Sequence, residues 1–388
     1  MSFPNHGRVL FTATLVRGHI AKFHIPYLKW FKEQGWETWV AANNDYPDKV
    51  CDISYCDHFV NIDFARSPFS RQTVVAYRQL RELFARERFD IVHTHTPVGS
   101  VLTRLAARNA RKTKTKVIYT AHGFHFYKGA PLANWLMWYP VERFMSRFTD
   151  VLITINNEDY ERAKGFAHCR VEYVPGVGVD LSRFVSVKCR EAKREELNLA
   201  PGDFAVLAIG DLNDNKNQRV LVEAIAQLPD SAKLFIAGSG PLREKLEKLA
   251  AQLGVSSRVR LLGFCENIAA LLNACDLFCL PSRREGLPVS LIEAMATGTP
   301  VLTSNARGCS DVLGELANSC IVPLGDPGRW ADAIESYMNE SQAQSPEHLR
   351  IRAARFGTDA VLVDYASIYR IDESESCVRR TRCSIRLP

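Results

Sequence analysis

Residues 285–293 read EGLPVSLIE, in which two carboxylates, Glu285 and Glu293, bracket a loop that turns into a helix. Just before it, LFCLPSRR (277–284) is an apolar run that reads as a buried strand end. Just after it, AMATGTPVLTSNARG (294–308) continues the helix, turns at Gly298 and enters a second short strand. Pro288 suits the first turn of a helix, where a missing N–H costs nothing. The unbonded N–H groups of that turn, with the positive end of the helix dipole, make an anion site. A carboxylate beside such a site fits a ligand that carries hydroxyls next to its phosphates, which describes a nucleotide sugar.

The rest of the chain supplies the frame for that segment. RVLFTATL (8–15) is followed by a helical stretch to Gln34 and then by ETWVAAN (37–43). FDIVHTHT (89–96), a helix over 98–110, KVIYTAHG (116–123), DVLITIN (150–156) and a short helix from near Glu158 continue the pattern. After a charged loop at 188–203 it restarts. Strands at 204–210, 232–240, 259–264, 276–282 and 300–304 alternate there with helices at 217–227, 241–253, 266–274 and 288–297. Strand–helix alternation of this kind is the grammar of parallel α/β sheets. The expected division is a first domain over 1–185, a second over 186–350, a helix at 355–372 returning to the first, and a basic, disordered tail at 373–388. Doubly wound domains bind ligands at the carboxyl ends of their strands.

Composition excludes several classes. With 388 residues, 46% hydrophobic and 24% charged, the chain is that of a two-domain globular protein. No run approaches the ~18 apolar residues of a membrane span, and MSFPNHGRVLFTATLV lacks a signal-peptide layout, so a cytoplasmic protein is expected. The 11 cysteines are scattered without metal spacing and read as reduced core thiols. The net charge of +6 is concentrated in the first half, around Arg104, Arg108, Arg111, Lys112, Lys114 and Lys116. That stretch reads either as a solvated helix end or as attraction to an anionic membrane surface. The basic residues are not interleaved with a nucleic-acid recognition motif, so no nucleic acid is expected as a partner. His93 and His95 alternate with Thr94 and share one face of a strand. No third ligand stands at a useful spacing, so a zinc site is rejected and no metal is expected.

Taken together, the motifs resemble a known family, the retaining glycosyltransferases of family 4, in the form found in bacterial capsule, exopolysaccharide and O-antigen assembly. The residues that carry the resemblance are Gly210 with Lys216, AGSGPLREKLEKLA (237–250), LLGF (261–264) and EGLPVSLIEAMATGTPVL (285–302). HTHTP (93–97), TAHGFHF (120–126) and VPGVGVDLSRF (174–184) add to it in the first half. The resemblance implies an α/β chain of the GT-B fold, two Rossmann-like doubly wound domains facing across a cleft, the first binding the acceptor and the second the nucleotide sugar.

It also implies site roles. Glu293 accepts hydrogen bonds from both ribose hydroxyls. Glu285 accepts from the transferred sugar, and the amides of Gly286 and Leu287, next to Pro288, meet the diphosphate. Phe264 receives the base, with UDP and GDP both open. Lys216, in the loop after Gly210, places a point charge on the diphosphate. The family's usual Arg–Lys pair is broken here by Asp211, so Arg17, Arg283 or the helix N-terminus has to compensate. In the first half, Gly18 and His19, in the variant loop Arg17-Gly18-His19, are assigned to donor binding. His122 contacts the donor sugar, and His95 lines the acceptor cleft. No Asp-x-Asp metal clamp stands at a strand end, so the implied transfer is metal-independent, without a cofactor.

The acceptor is less legible. HIPYLKWFKEQGW (24–36) and PLANWLMWYPVERFMSRF (131–148) group aromatic and basic residues. Leu28, Trp30, Phe31 and Trp36 suit a core. The group Trp135, Met137, Trp138 and Tyr139 reads either as core or as a membrane-interface patch meeting a lipid-linked or glycan acceptor. That would make the protein peripheral at the inner face of the plasma membrane. A nucleotide-sugar epimerase on the same plan, or a non-catalytic nucleotide-sugar-binding assembly protein, are the alternatives to a hexosyltransferase.

Overall fold

The computed structural model describes residues 7–46, 51–65, 67–166, 168–185, 190–339 and 344–370. They fall into two compact units, Met1–Gly178 with Val361–Pro388, and Val179–Ala360. The basic tail 373–388 lies outside the described residues.

The first unit is built on seven strands. These are β1 Arg8–Leu15, β2 Glu37–Asn43, β3 His58–Asn61, β4 Ile91–Thr94, β5 Lys116–Ala121, β6 Val151–Thr154 and β7 Arg170–Tyr173. They pair in parallel in the order β3-β2-β1-β4-β5-β6-β7. The second unit holds β8 Phe204–Ile209, β9 Ala232–Ala237, β10 Val259–Gly263, β11 Leu277–Leu280, β12 Val301–Ser304 and β13 Ile321–Val322. Their order is β10-β9-β8-β11-β12-β13, again all parallel. In both sheets the order reverses once, between β1 and β4 and between β8 and β11. The chain leaves a doubly wound sheet in opposite directions at that point and opens a crevice at the carboxyl ends.

Central strands are buried on both faces, as in β4, β5, β6 and β11, which is why they stand out as continuous apolar runs. The edge strands β3 (HFVN) and β7 (RVEY) are half-exposed, carry polar residues, and are missed by an apolar-run reading. The sequence reading also misses the helix Arg71–Arg86, capped by the Ser70 hydroxyl accepting from the amide of Gln72. The helix expected over 98–110 is two, Pro97–Ala106 and Arg108–Lys112. The charged segment read as a loop at 188–203 contains a helix, Arg190–Glu196. Its Arg190 and Arg194 both bond Asp276, ahead of β11, the latter at 3.0 Å.

The basic stretch 104–116 is only partly a surface. Arg104 is buried against Glu142 at 2.9 Å, Arg111 bonds Asp150 at 2.9 Å, and the Lys116 ammonium donates to the carbonyls of Ile368 and Arg370 at 2.7 Å. Buried cations need such partners. Arg108, Lys112 and Lys114 remain exposed.

The closing helix, Thr358–Tyr369, packs Val361, Tyr365, Ile368 and Tyr369 into the core of the first unit, beside Leu28, Phe31 and Trp36. That core contains imidazoles. The Tyr369 hydroxyl lies 2.7 Å from His93 Nδ1, and Thr120 Oγ1 lies 2.8 Å from its Nε2. The His93 and His95 rings are 4.1 Å apart, and those of His24 and His95 are 3.8 Å apart. Burial holds His24, His93 and His95 well below the ordinary histidine pKa and lowers His122 to about 4.

In the unfolded chain these side chains take up protons near pH 6.5, whereas folded they stay neutral. The unfolded state therefore binds more protons as pH falls below about 6.5, and stability conferred above that pH is lost towards about 4. Urea unfolding of the full chain, followed at a series of pH values, is expected to show a steep fall in stability across that window. A flat profile there contradicts neutral imidazoles in this core.

Candidate active site

In the second unit the site assembles where the strand order reverses. β8 is followed directly by Gly210, whose φ of +148° suits glycine alone, and a Cβ there would meet Lys216 Cε at 3.1 Å. The loop that follows curls back so that Lys216 returns over the strand end. Asn215 and Asn217 fix this loop to the one after β11 through the carbonyls of Arg284 (3.0 Å) and Pro281 (3.3 Å). Arg283 reciprocates, its amide donating to Asn215 O at 2.7 Å and its Nε to Asp214 O at 3.2 Å. The two loops are thus one rigid layer. Across it Lys216 Nζ meets Glu285 Oε1 at 2.7 Å, with side-chain exposures of 21% and 10%.

The helix carrying Glu293 runs Val289–Thr297, and Pro288 stands just ahead of it in an extended conformation. The expectation that Pro288 occupies the first helical turn is corrected by one residue: its carbonyl begins the helix, accepting from Leu291 at 3.1 Å. Among the described residues no acceptor is bonded to the N–H of Gly286 or Leu287. Glu293 is half-buried, and burial raises its carboxyl to about 7 against the opposing pull of Arg183. Phe264 follows β10 and is 81% exposed, an unusual position for a free aromatic ring. Asp211 is exposed next to Gly210. Lys216, Glu285, Gly210, Gly286 and Leu287 thus share one strand-end layer.

In the first unit, Arg17, Gly18 and His19 sit in a single wide π-helical turn, Val16–Ile20, directly after β1. The amides of Arg17 and Gly18 are already accepted by the Asp45 carboxylate, at 2.6 and 3.1 Å. His19 Nδ1 lies 3.0 Å from His24 Nε2, and His95 Nδ1 lies 3.2 Å from His122 Nε2. His95 is buried, and among the described residues its Nε2 has no partner. A trio that the sequence reading did not consider, His19, His24 and His122, brings one nitrogen each within 4.8 Å of one another and could hold an ion; it includes neither His93 nor His95.

Beside this cluster is a cavity of about 310 Å³, lined by Thr14, Gly18, His19, Thr96, His125 and Trp138 among others. The His125 and Trp138 rings stack at 4.8 Å. Thr96 has φ +61° and ψ 139°, a region that a β-branched residue occupies only under strain. Its hydroxyl is held by the Thr14 amide at 3.1 Å and the Thr14 hydroxyl at 2.8 Å. Thr96, Asp45 and His24 were not singled out from the sequence. Only Thr96 carries a local signal, a following proline that bars it from helical backbone.

The chain is similar to known proteins along most of its length. A family model described as Glycosyltransferase Family 4 matches residues 27–183, and one described as Glycosyl transferases group 1 matches residues 189–356. The glycosyltransferase EpsD of Bacillus subtilis (strain 168) is 41% identical over 93% of this chain and 96% of its own. An Escherichia coli enzyme named UDP-Gal:alpha-D-GlcNAc-diphosphoundecaprenol alpha-1,3-galactosyltransferase is 31% identical over 66% of this chain and 68% of its own. The crystal structure of Anabaena HepE with UDP and glucose superposes with a TM-score of 0.77 at 20% identity, covering 94% of this chain and 99% of that one, a likeness of fold. None of these matches favours an epimerase or a non-catalytic protein. With the match spanning nearly the whole chain, on two doubly wound sheets with a strand-end site, this protein belongs to glycosyltransferase family 4 and has the GT-B fold.

Proposed function

We propose that the chain transfers a hexosyl group from a UDP-linked sugar to a lipid-linked glycan, with retention of anomeric configuration and without a metal, in cell-surface polysaccharide synthesis. The observation that carries this reading is the layer of Lys216, Glu285 and the open amides of Gly286 and Leu287 beside Glu293. It offers donors for a diphosphate and two carboxylates for hydroxyls. UDP is preferred to GDP because HepE is named with UDP and the E. coli relative with UDP-Gal. The lipid acceptor is preferred because that relative is also named with a diphosphoundecaprenol.

In this reading Glu293 accepts from the ribose hydroxyls, Phe264 stacks on the base, and Glu285 holds the sugar. Lys216, with the amides after it in the layer and the turn at Pro288, receives the leaving charge. The acceptor oxygen bonds to the anomeric carbon as the bond to the diphosphate oxygen breaks, and the acceptor proton passes to that departing oxygen. No protein base is needed for the balance.

For the membrane, the helix Leu132–Met145 supplies a surface. Trp135 and Trp138 pack inward, while Leu132, Leu136, Met137 and Phe144 are exposed, with Arg143 and Arg147 exposed beside them. Apolar side chains flanked by cations suit the interface of an anionic bilayer. Among the described residues no helix is long and apolar enough to cross a membrane.

Incubation with labelled UDP- and GDP-sugars and a polyprenyl-diphosphate glycan is expected to give retained-configuration transfer from a UDP-sugar, at a rate that a chelator leaves unchanged. Loss of transfer on chelation sinks the metal-free reading, and hydrolysis or epimerisation alone sinks the transfer itself. Glu293→Ala is expected to weaken UDP-glucose binding by about 1–3 kcal/mol, the loss of charged hydrogen bonds. Since the ionised carboxylate is the better acceptor, affinity should rise as pH passes through about 7 in the wild type and stay level in Glu293→Gln. Sedimentation with phosphatidylglycerol vesicles should be lost at high salt and reduced by Leu136→Glu, and absence of binding at low salt removes the membrane from the proposal.

A further inference from the structure

The donor reading leaves a charge unaccounted for. A nucleotide sugar brings about one negative charge on each of two phosphates. Lys216 is already matched by Glu285 at 2.7 Å, and Asp211 adds a negative charge at the end of β8. Arg283, the compensating residue considered from the sequence, turns its guanidinium to Asp214 O and Asn217 Oδ1, where it holds the loop together.

Another cation stands at the same layer. Arg307 opens the helix Arg307–Leu313, and its Nε donates to the Glu285 carbonyl at 3.2 Å. The next residue, Gly308, seats that helix directly on the turn, since a Cβ there would lie 2.4 Å from Gly286 O. Cys309 is close enough to Glu285, Lys216 and Asp311 for its thiol to feel all three charges. Arg307 is half-buried beside the turn whose Gly286 and Leu287 amides have no acceptor among the described residues.

We propose that Arg307 is the second cation of the diphosphate site, standing in from the loop after β12 for the positive charge that Asp211 denies to the loop after β8. The inference rests on the donor reading above. The guanidinium fork offers two parallel donors to phosphate oxygens, which an ammonium cannot do. Asp311, one turn further along the same helix, is at ion-pair spacing from Arg307, so the phosphates compete with it for the guanidinium.

The test is the discrimination between UDP and UMP by the full chain, measured by calorimetry at fixed pH and salt. Wild type is expected to bind UDP more tightly than UMP. Arg307→Ala should weaken UDP at least about tenfold, the scale of one charge-assisted contact, while UMP changes little, so the ratio collapses. Arg307→Lys should recover part of it, and Asp211→Arg placed on Arg307→Ala should restore UDP binding by supplying the charge from the other loop. A protein in which Arg307 merely props up the turn loses UDP and UMP alike and is not rescued from position 211; that result overturns the inference. An unchanged UDP:UMP ratio in Arg307→Ala overturns it too and leaves the donor reading standing. Failure of the wild type to bind UDP, UMP or GDP overturns both.

Discussion

The contact between Lys216 and Glu285 ties the two strand-end loops of the second unit into one surface. Each residue belongs to a different loop, one after β8 and one after β11, and these are the strands between which the sheet order reverses. With both side chains largely withdrawn from water, leaving either unpaired is expensive, about 3–5 kcal/mol for a buried pair broken on one side. The loops are therefore held in register by more than their amide bonds. A ligand that takes Lys216 must at the same time give Glu285 something to accept from. A sugar diphosphate does both: its phosphate replaces the carboxylate at the ammonium, and its sugar hydroxyls replace the ammonium at the carboxylate. Inorganic phosphate does only the first. In the proposed reading the pair selects for a ligand with both functions joined at a fixed distance.

The first unit uses its polar core differently. Thr120 and Tyr369 close both ring nitrogens of His93, and Tyr369 arrives on the last described helix. The helix Thr358–Tyr369 is therefore part of the first sheet's core, and Lys116 repeats the connection through the carbonyls of Ile368 and Arg370. Other members of the imidazole group are not closed in this way. Among the described residues, His24 Nδ1 and His95 Nε2 are buried without partners. Buried orphans destabilise a fold by about 1–3 kcal/mol each. They stand next to the strained Thr96 and the cavity under His125 and Trp138. Strain and unmet polarity gather at this end of the sheet.

How much of this was legible follows from which forces leave a local trace. Strands buried on both faces appear as apolar runs, so β1, β4, β5, β8 and β11 could be placed within a residue or two. The edges β3 and β7 left no trace because half-exposed strands need not be apolar. In the site, Glu285, Gly286 and Glu293 are neighbours in the chain and could be read as a unit. Lys216 depends on the glycine turn at 210, which is also local. What could not be read were residues whose meaning comes from packing across the fold. Asp45 closes the amides of Arg17 and Gly18 from the far side of β2, and His24 reaches His19 only because the turn after β1 is wide. The trio His19, His24 and His122 could not be read for the same reason, since its rings meet only through the fold.

Arg307 belongs with these. In the sequence it is one arginine in SNARG, and nothing near it names a ligand. Its significance depends on Gly308, which lets the helix close on Gly286, and on Asp211, which stands far away in the chain and has the wrong charge for its place. Phosphate recognition needs a field of the right sign at the ligand, not a cation at a particular loop. A doubly wound sheet brings several loops to the same strand ends, so the charge can move from the loop after one strand to the loop after another while the field stays similar. The departure at 211 then ceases to argue against donor binding. In the proposed reading one of the two positive charges moves to a helix start, where Arg307 Nε already donates to the Glu285 carbonyl and the diphosphate is coupled to the turn that carries Glu285.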